Sequence, residues 1–167
     1  MSDRDARRGR RRPLLLLAAL ALTGCGPPTG TGTAPQTAAP SGPTFETFGD
    51  YEVHYNAVRT DLLTPEVARA YGIERSTNRV LLNVSLLKKS EDGRTAPVDG
   101  KVSATAHNLN GQVKDLELRR ITEGDSVYFI GEVGITGNEI LVFNMSATPA
   151  TASDVLKVQF KREFFAD

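Results

Sequence analysis

The chain reads as an all-β protein, an immunoglobulin-like antiparallel β-sandwich of about seven strands with one short helix. Three observations predict this class. Apolar and polar residues alternate over several short stretches, the period-two signature of strands with one face in water. Asn-Gly, Asp-Gly and related pairs punctuate these stretches, as hairpin turns do. Only "TPEVARAYG" carries the start and stop signals of a helix. The chain has no Trp and a single Cys, so this is not an antibody-type domain with its Trp and disulfide. A closed barrel is the competing architecture.

The elements follow in order. "YEVHYNAV" sets Tyr51, Val53, Tyr55 and Ala57 on one face, with Glu52, His54 and Asn56 opposite. In the helix, Thr64 is placed to cap the first turn, Pro65 occupies the first helical position, and Gly72 ends it in a left-handed conformation. "VLLNVSLL", residues 80–87, is partly apolar on both faces and reads as a central strand. Asp92-Gly93 marks a turn. "KVSATAHN" alternates Val102, Ala104 and Ala106 with Lys101, Ser103, Thr105 and His107. Asn110-Gly111 then reads as a two-residue hairpin. "VKDLELRRI" is a further strand, and Gly124-Asp125 another turn. "SVYFIGEVGI" and "EILVFNMSA" are two more strands, with Gly137-Asn138 as the hairpin between them. "LKVQFKREF" closes the domain with Leu156, Val158, Phe160 and Phe164 on its apolar face.

Thr44 to Asp167 is the folded domain, a length that suits one core. What precedes it reads differently. Arg4, Arg7, Arg8, Arg10, Arg11 and Arg12 lead into the apolar run Leu14 to Leu22, the shape of a secretory signal peptide over residues 1–24. That run is too short to span a bilayer, which needs about 20 apolar residues. Leu22-Thr23-Gly24-Cys25 resembles the lipobox of bacterial lipoproteins, which makes Cys25 the lipid attachment point. With no second Cys, no internal disulfide can form. Residues 25–43 carry no charge and no aromatic group, so they read as a disordered Pro/Gly/Thr-rich tether, with ends about 25 Å apart. Removing residues 1–24 leaves 14 basic against 18 acidic residues. That balance provides no electrostatic drive toward nucleic acid. The expected location is the bacterial envelope, lipid-anchored and facing the periplasm. Gly26, where inner-membrane lipoproteins tend to carry Asp, favours the outer membrane.

"FGDYEVHYNAV", "LLTPEVARAYGIERSTNRVLLNVSLLKK" and "EGDSVYFIGEV" together resemble domain-of-unknown-function family 4426, small exported proteins of Gram-negative bacteria. The resemblance covers most of residues 45–167 and implies a compact β-rich exported domain. It implies no activity, ligand or catalytic residue.

Chemistry is sparse. No G-x-S-x-G elbow and no phosphate-binding glycine loop occurs. The two His, His54 and His107, lack a local nucleophile. The sharpest pattern is "DYEVH", where Asp50, Glu52 and His54 share one face at period two and, joined by His107, would suit a divalent metal. A solvated polar face produces the same pattern and is the preferred reading, so no cofactor is expected. "VYF", residues 127–129, with Tyr51, Tyr55, Phe45 and Phe48 could line an apolar ligand groove but read better as core. Lys88-Lys89 and Arg119-Arg120 read as guards of strand edges. Asn83-Val84-Ser85 and Asn144-Met145-Ser146 match a glycosylation pattern but lie inside predicted strands. The expected function is a non-enzymatic, membrane-tethered module that binds an envelope protein. A periplasmic protein binding a small ligand or a divalent metal is the alternative.

Overall fold

The structure, a computed structural model, describes residues 44–165. The expected signal peptide, Cys25 and the expected tether lie outside the described residues. Two antiparallel sheets form. The larger runs in the order β1 (Phe45–Phe48), β2 (Tyr51–Arg59), β3 (Arg79–Lys89), β8 (Ser126–Gly134) and β7 (Arg119–Glu123). β4 (Thr95–Val98) pairs with the last residues of β3. The smaller runs β10 (Leu156–Phe164), β9 (Glu139–Pro149), β5 (Gly100–Asn108) and β6 (Val113–Lys114).

Lettering β2, β3, β5, β7, β8, β9 and β10 from A to G makes the order A-B-E-D in one sheet and G-F-C in the other. This is the constant-type immunoglobulin arrangement. The seven expected strands are this frame, and β1, β4 and β6 are short additions.

Each inner face follows the alternation. Val53, Tyr55, Ala57, Val80, Leu82, Val84, Leu86, Val127, Phe129 and Val133 pack from the larger sheet against Ala106, Leu141, Phe143, Met145, Ala147, Leu156, Val158 and Phe164 from the smaller. Phe160 joins the two layers, with ring centroids 4.5 Å from Tyr55 and 4.8 Å from Phe143. Helix α1, Pro65–Tyr71, forms as expected. Thr64 Oγ1 accepts from the Val67 N–H, and Gly72 closes the helix at φ 62°. It covers part of the larger sheet's outer face, where Ala68 and Ile73 pack with Leu81 and Ile130. Phe48 and Tyr51 pack against the core, whereas Phe45 is 46% exposed.

Three local expectations are corrected. "VKDLELRRI" is two strands in opposite sheets, since β6 pairs with β5 and β7 with β8. Residues 115–118 cross between the layers, and Leu116 and Leu118 pack against the core on the way. Gly137-Asn138 joins no hairpin, because β8 and β9 belong to different sheets. Asn110-Gly111 sits in a four-residue loop, 109–112, not a two-residue one. The Asn108 side chain accepts from the Asn110 and Gln112 N–H groups and organises that longer loop.

Gly131 makes the crossover possible. A Cβ there would stand 2.5 Å from the Glu117 carbonyl oxygen, 2.8 Å from Leu118 Cδ2 and 2.9 Å from Leu116 Cδ1. Only a residue without a side chain lets the crossing segment pass so close.

Candidate ligand cleft on the outer face of the larger sheet

β3, β7 and β8 lie side by side in the larger sheet, and α1 packs over their outer face. Register decides what that face carries. Asn83 of β3 stands opposite Ile130 of β8, and Leu81 opposite Glu132. Ile121 of β7 stands opposite Tyr128. The helix covers this surface only in part, and a cleft of about 230 Å³ remains between Tyr71, Asn83, Ile121, Glu123, Tyr128 and Ile130. A second, of about 240 Å³, adjoins it across Ile130 and is lined by Asp115, Glu117, Arg119 and Glu132.

The hydrogen bonding within the cleft is incomplete. The Tyr71 hydroxyl donates to Glu123 Oε2 at 2.9 Å. That bond to a carboxylate, aided by burial, raises the Tyr71 phenol above its ordinary pKa. The Arg119 guanidinium donates to the Tyr71 carbonyl. Asn83 Oδ1 and Glu132 Oε2 are buried and accept no hydrogen bond. Arg79 Nη1 comes no nearer to Glu132 Oε2 than 3.6 Å. Sequence reading gave Asn83 and Arg119 other roles and did not bring these residues together, since they come from four elements. The one available signal was Asn83 itself, an amide inside an otherwise apolar central strand.

The residues singled out as metal ligands are placed as follows. Asp50 lies in the turn between β1 and β2. Glu52 and His54 come together, with Oε2 2.9 Å from Nε2, and the His54 ring stacks on Phe45 at 5.0 Å. His107 is on the outer face of the smaller sheet, beside Asn144. Since Val53, Tyr55 and Ala106 point inward, alternation puts the two His on opposite outer faces of the sandwich. Among the described residues no three metal-ligating side chains converge. Ser85 stands opposite His54 in register, but His54 makes its hydrogen bond to Glu52.

The smaller sheet offers a different feature. β9 pairs with β5 from Gly100 to Asn108, whereas β6 pairs only with Ala106 and His107. The Asn108 N–H bonds Gln112 on the β6 side. By antiparallel alternation the backbone groups of Val102 and Ala104 point to that same side, where none of the described residues forms a strand beside them.

A family model described as "Domain of unknown function (DUF4426)" matches residues 45–167. The chain belongs to the DUF4426 family. A solved DUF4426 family protein from Pseudomonas aeruginosa PAO1 is 32% identical to it, with a TM-score of 0.62 over 74% of this chain and 94% of that one. Two structures of FetP from uropathogenic Escherichia coli strain F11 share the fold alone. One was expressed in the periplasm and is 11% identical, with a TM-score of 0.53 over 76% of this chain and 95% of that one. The other, a copper-bound variant, is 13% identical, with a TM-score of 0.52 over 75% and 95%. No curated protein matches the chain. This DUF4426 chain thus has an assigned family and fold, and its family carries no stated activity.

Proposed function

We propose that this DUF4426 protein is a lipid-anchored envelope module that works by binding a protein partner through strand addition, without catalysis. The observation that carries the reading is the open stretch of β5. Among the described residues its Val102 and Ala104 backbone groups lack a strand partner, and "VSAT", residues 102–105, holds no charge. Other outer strands are guarded: β7 carries Arg119, Arg120 and Glu123, and β10 carries Lys157, Lys161 and Glu163. Charges on an edge discourage another strand, and their absence invites one. The Cys25 lipobox and the uncharged segment after it support presentation from a membrane.

Ala104→Pro tests the edge. It removes one outward N–H and spares the ladder to β9. The variant should melt within about 4 °C of the parent and lose the envelope partner that the parent retains after cross-linking. A variant that folds and captures the same partner equally well contradicts the proposal.

Metal binding ranks second. Its support is the Glu52–His54 contact and the shared fold of copper-bound FetP. Two ligands on an open face fall short of a closed coordination sphere.

A further inference from the structure

We propose that the cleft between α1, β3, β7 and β8 binds an organic cation, a guanidinium or primary ammonium group on an alkyl stem. This is a site separate from the β5 edge and independent of the reading above.

The polar groups of the cleft select the ligand. Asn83 Oδ1 and Glu132 Oε2 are both buried, and both are acceptors without a hydrogen bond. Leaving such a group unsatisfied is destabilising, so an orphan acceptor in a cavity calls for a donor from outside the chain. Tyr71 engages one oxygen of the exposed Glu123 carboxylate. Arg119, the one cationic side chain lining the two cavities, is turned to the Tyr71 carbonyl. Glu123 lines the cleft itself, and Asp115, Glu117 and Glu132 line the adjoining cavity, where Arg119 and, 3.6 Å from Glu132, Arg79 leave carboxylates in excess. An anion would meet like charge. A bare metal ion would meet no group of three ligating side chains among the described residues.

A guanidinium carries five N–H donors and an ammonium three, and neither carries an acceptor. That matches the two buried acceptors left without a hydrogen bond, Asn83 Oδ1 and Glu132 Oε2. Tyr71 and Tyr128 supply ring faces for a cation. Ile121 and Ile130 supply apolar surface for the stem. The chemistry is common to a free alkylguanidine or diamine and to an Arg or Lys side chain of a peptide.

The experiment is an NMR titration of the ¹⁵N-labelled full chain with three probes: agmatine, a blocked Gly-Gly-Arg-Gly peptide, and the same peptide with neutral citrulline replacing Arg. The Asn83 side-chain amide and the Ile121 and Tyr128 backbone amides should shift saturably with agmatine, with the Arg peptide, or with both. Citrulline should leave them in place. Response to agmatine alone assigns a free cation, and response to the Arg peptide alone assigns a basic side chain. Asn83→Leu should weaken binding by about tenfold or more while raising the Tm, because it removes an unpaired buried acceptor. A purely structural Asn83 would leave the titration unchanged on substitution. Glu123→Gln, at the exposed rim, serves if Asn83→Leu does not fold, and should also weaken binding. The proposal is overturned if neither cationic probe shifts these amides, if citrulline matches Arg, or if the folded variants bind as the parent does.

Discussion

Glu139 is a carboxylate held by its neighbours at the start of β9. Its side chain is 11% exposed, and Lys114 Nζ stands 2.8 Å from Oε1. Asn108 Nδ2 donates at 2.9 Å and the Thr136 N–H at 3.3 Å. Burial alone would raise its pKa, but the bonds from Lys114, Asn108 and Thr136 together outweigh burial and hold it below the ordinary value. A pKa lower in the folded than in the unfolded chain means stability that is present above the unfolded value, about 4.3. That stability is lost as pH falls through the folded value. Glu139→Gln should therefore flatten the decline of the urea midpoint as the pH falls below the unfolded carboxylate value, at a cost of about 1–3 kcal/mol at neutral pH. Identical pH profiles for the two proteins would contradict this account. Single residues also show what the sequence could not reveal. Arg162 occupies an inward position of β10 between Phe160 and Phe164, where the alternation predicts an apolar residue. It reaches across to donate to Asn56 Oδ1 and the Ala57 carbonyl of β2.

At the scale of elements, strands with one wet face were legible because burial imposes period two on each of them. β3 was legible for the complementary reason. It is paired on both sides, and Leu81 packs beneath α1 on the face that would otherwise be wet. The break between β6 and β7 was not legible. Val113, Leu116, Leu118 and Ile121 supply apolar residues all along the segment, while the choice of sheet depends on partners far away in the chain. Turn residues marked where the chain bends but not which strands pair across the bend, so Gly124-Asp125 made a hairpin and Gly137-Asn138 a sheet change. The crossover hinges on Gly131. Gly131→Ala should lower stability by about 1–3 kcal/mol, read as a fall in the urea midpoint, because the Glu117 backbone lies within 2.5 Å of the new methyl group. An unchanged midpoint would mean that residues 115–118 yield easily. The cleft was hidden from the sequence for the same nonlocal reason, since α1, β3, β7 and β8 each contribute one or two ordinary residues to it.

Across the whole molecule, two sheets are joined at both seams by arginines. Arg162 links β10 to β2. Arg120 of β7 forms a two-point pair with Asp99, just before β5, at 3.0 and 2.7 Å, and that pairing holds the Asp99 carboxyl below its ordinary pKa. The core drawn together between these seams comes from residues 53–164 and contains no disulfide, since the chain has one Cys. Cys25→Ser should accordingly abolish acylation and membrane retention of the mature chain without moving its Tm. A large fall in Tm would show that the segment around Cys25 contributes to the fold, and retained palmitate labelling would remove the lipoprotein reading. The central claim is that β5 holds an open, usable edge. Amide hydrogen exchange on the purified chain tests it most directly. The account predicts fast exchange at Val102 and Ala104, protection at Ser103 and Thr105 through the β9 ladder, and new protection at Val102 and Ala104 once the captured partner is added. Uniform protection from Lys101 to Ala106 in the free chain, or no change at Val102 and Ala104 with partner bound, would contradict it.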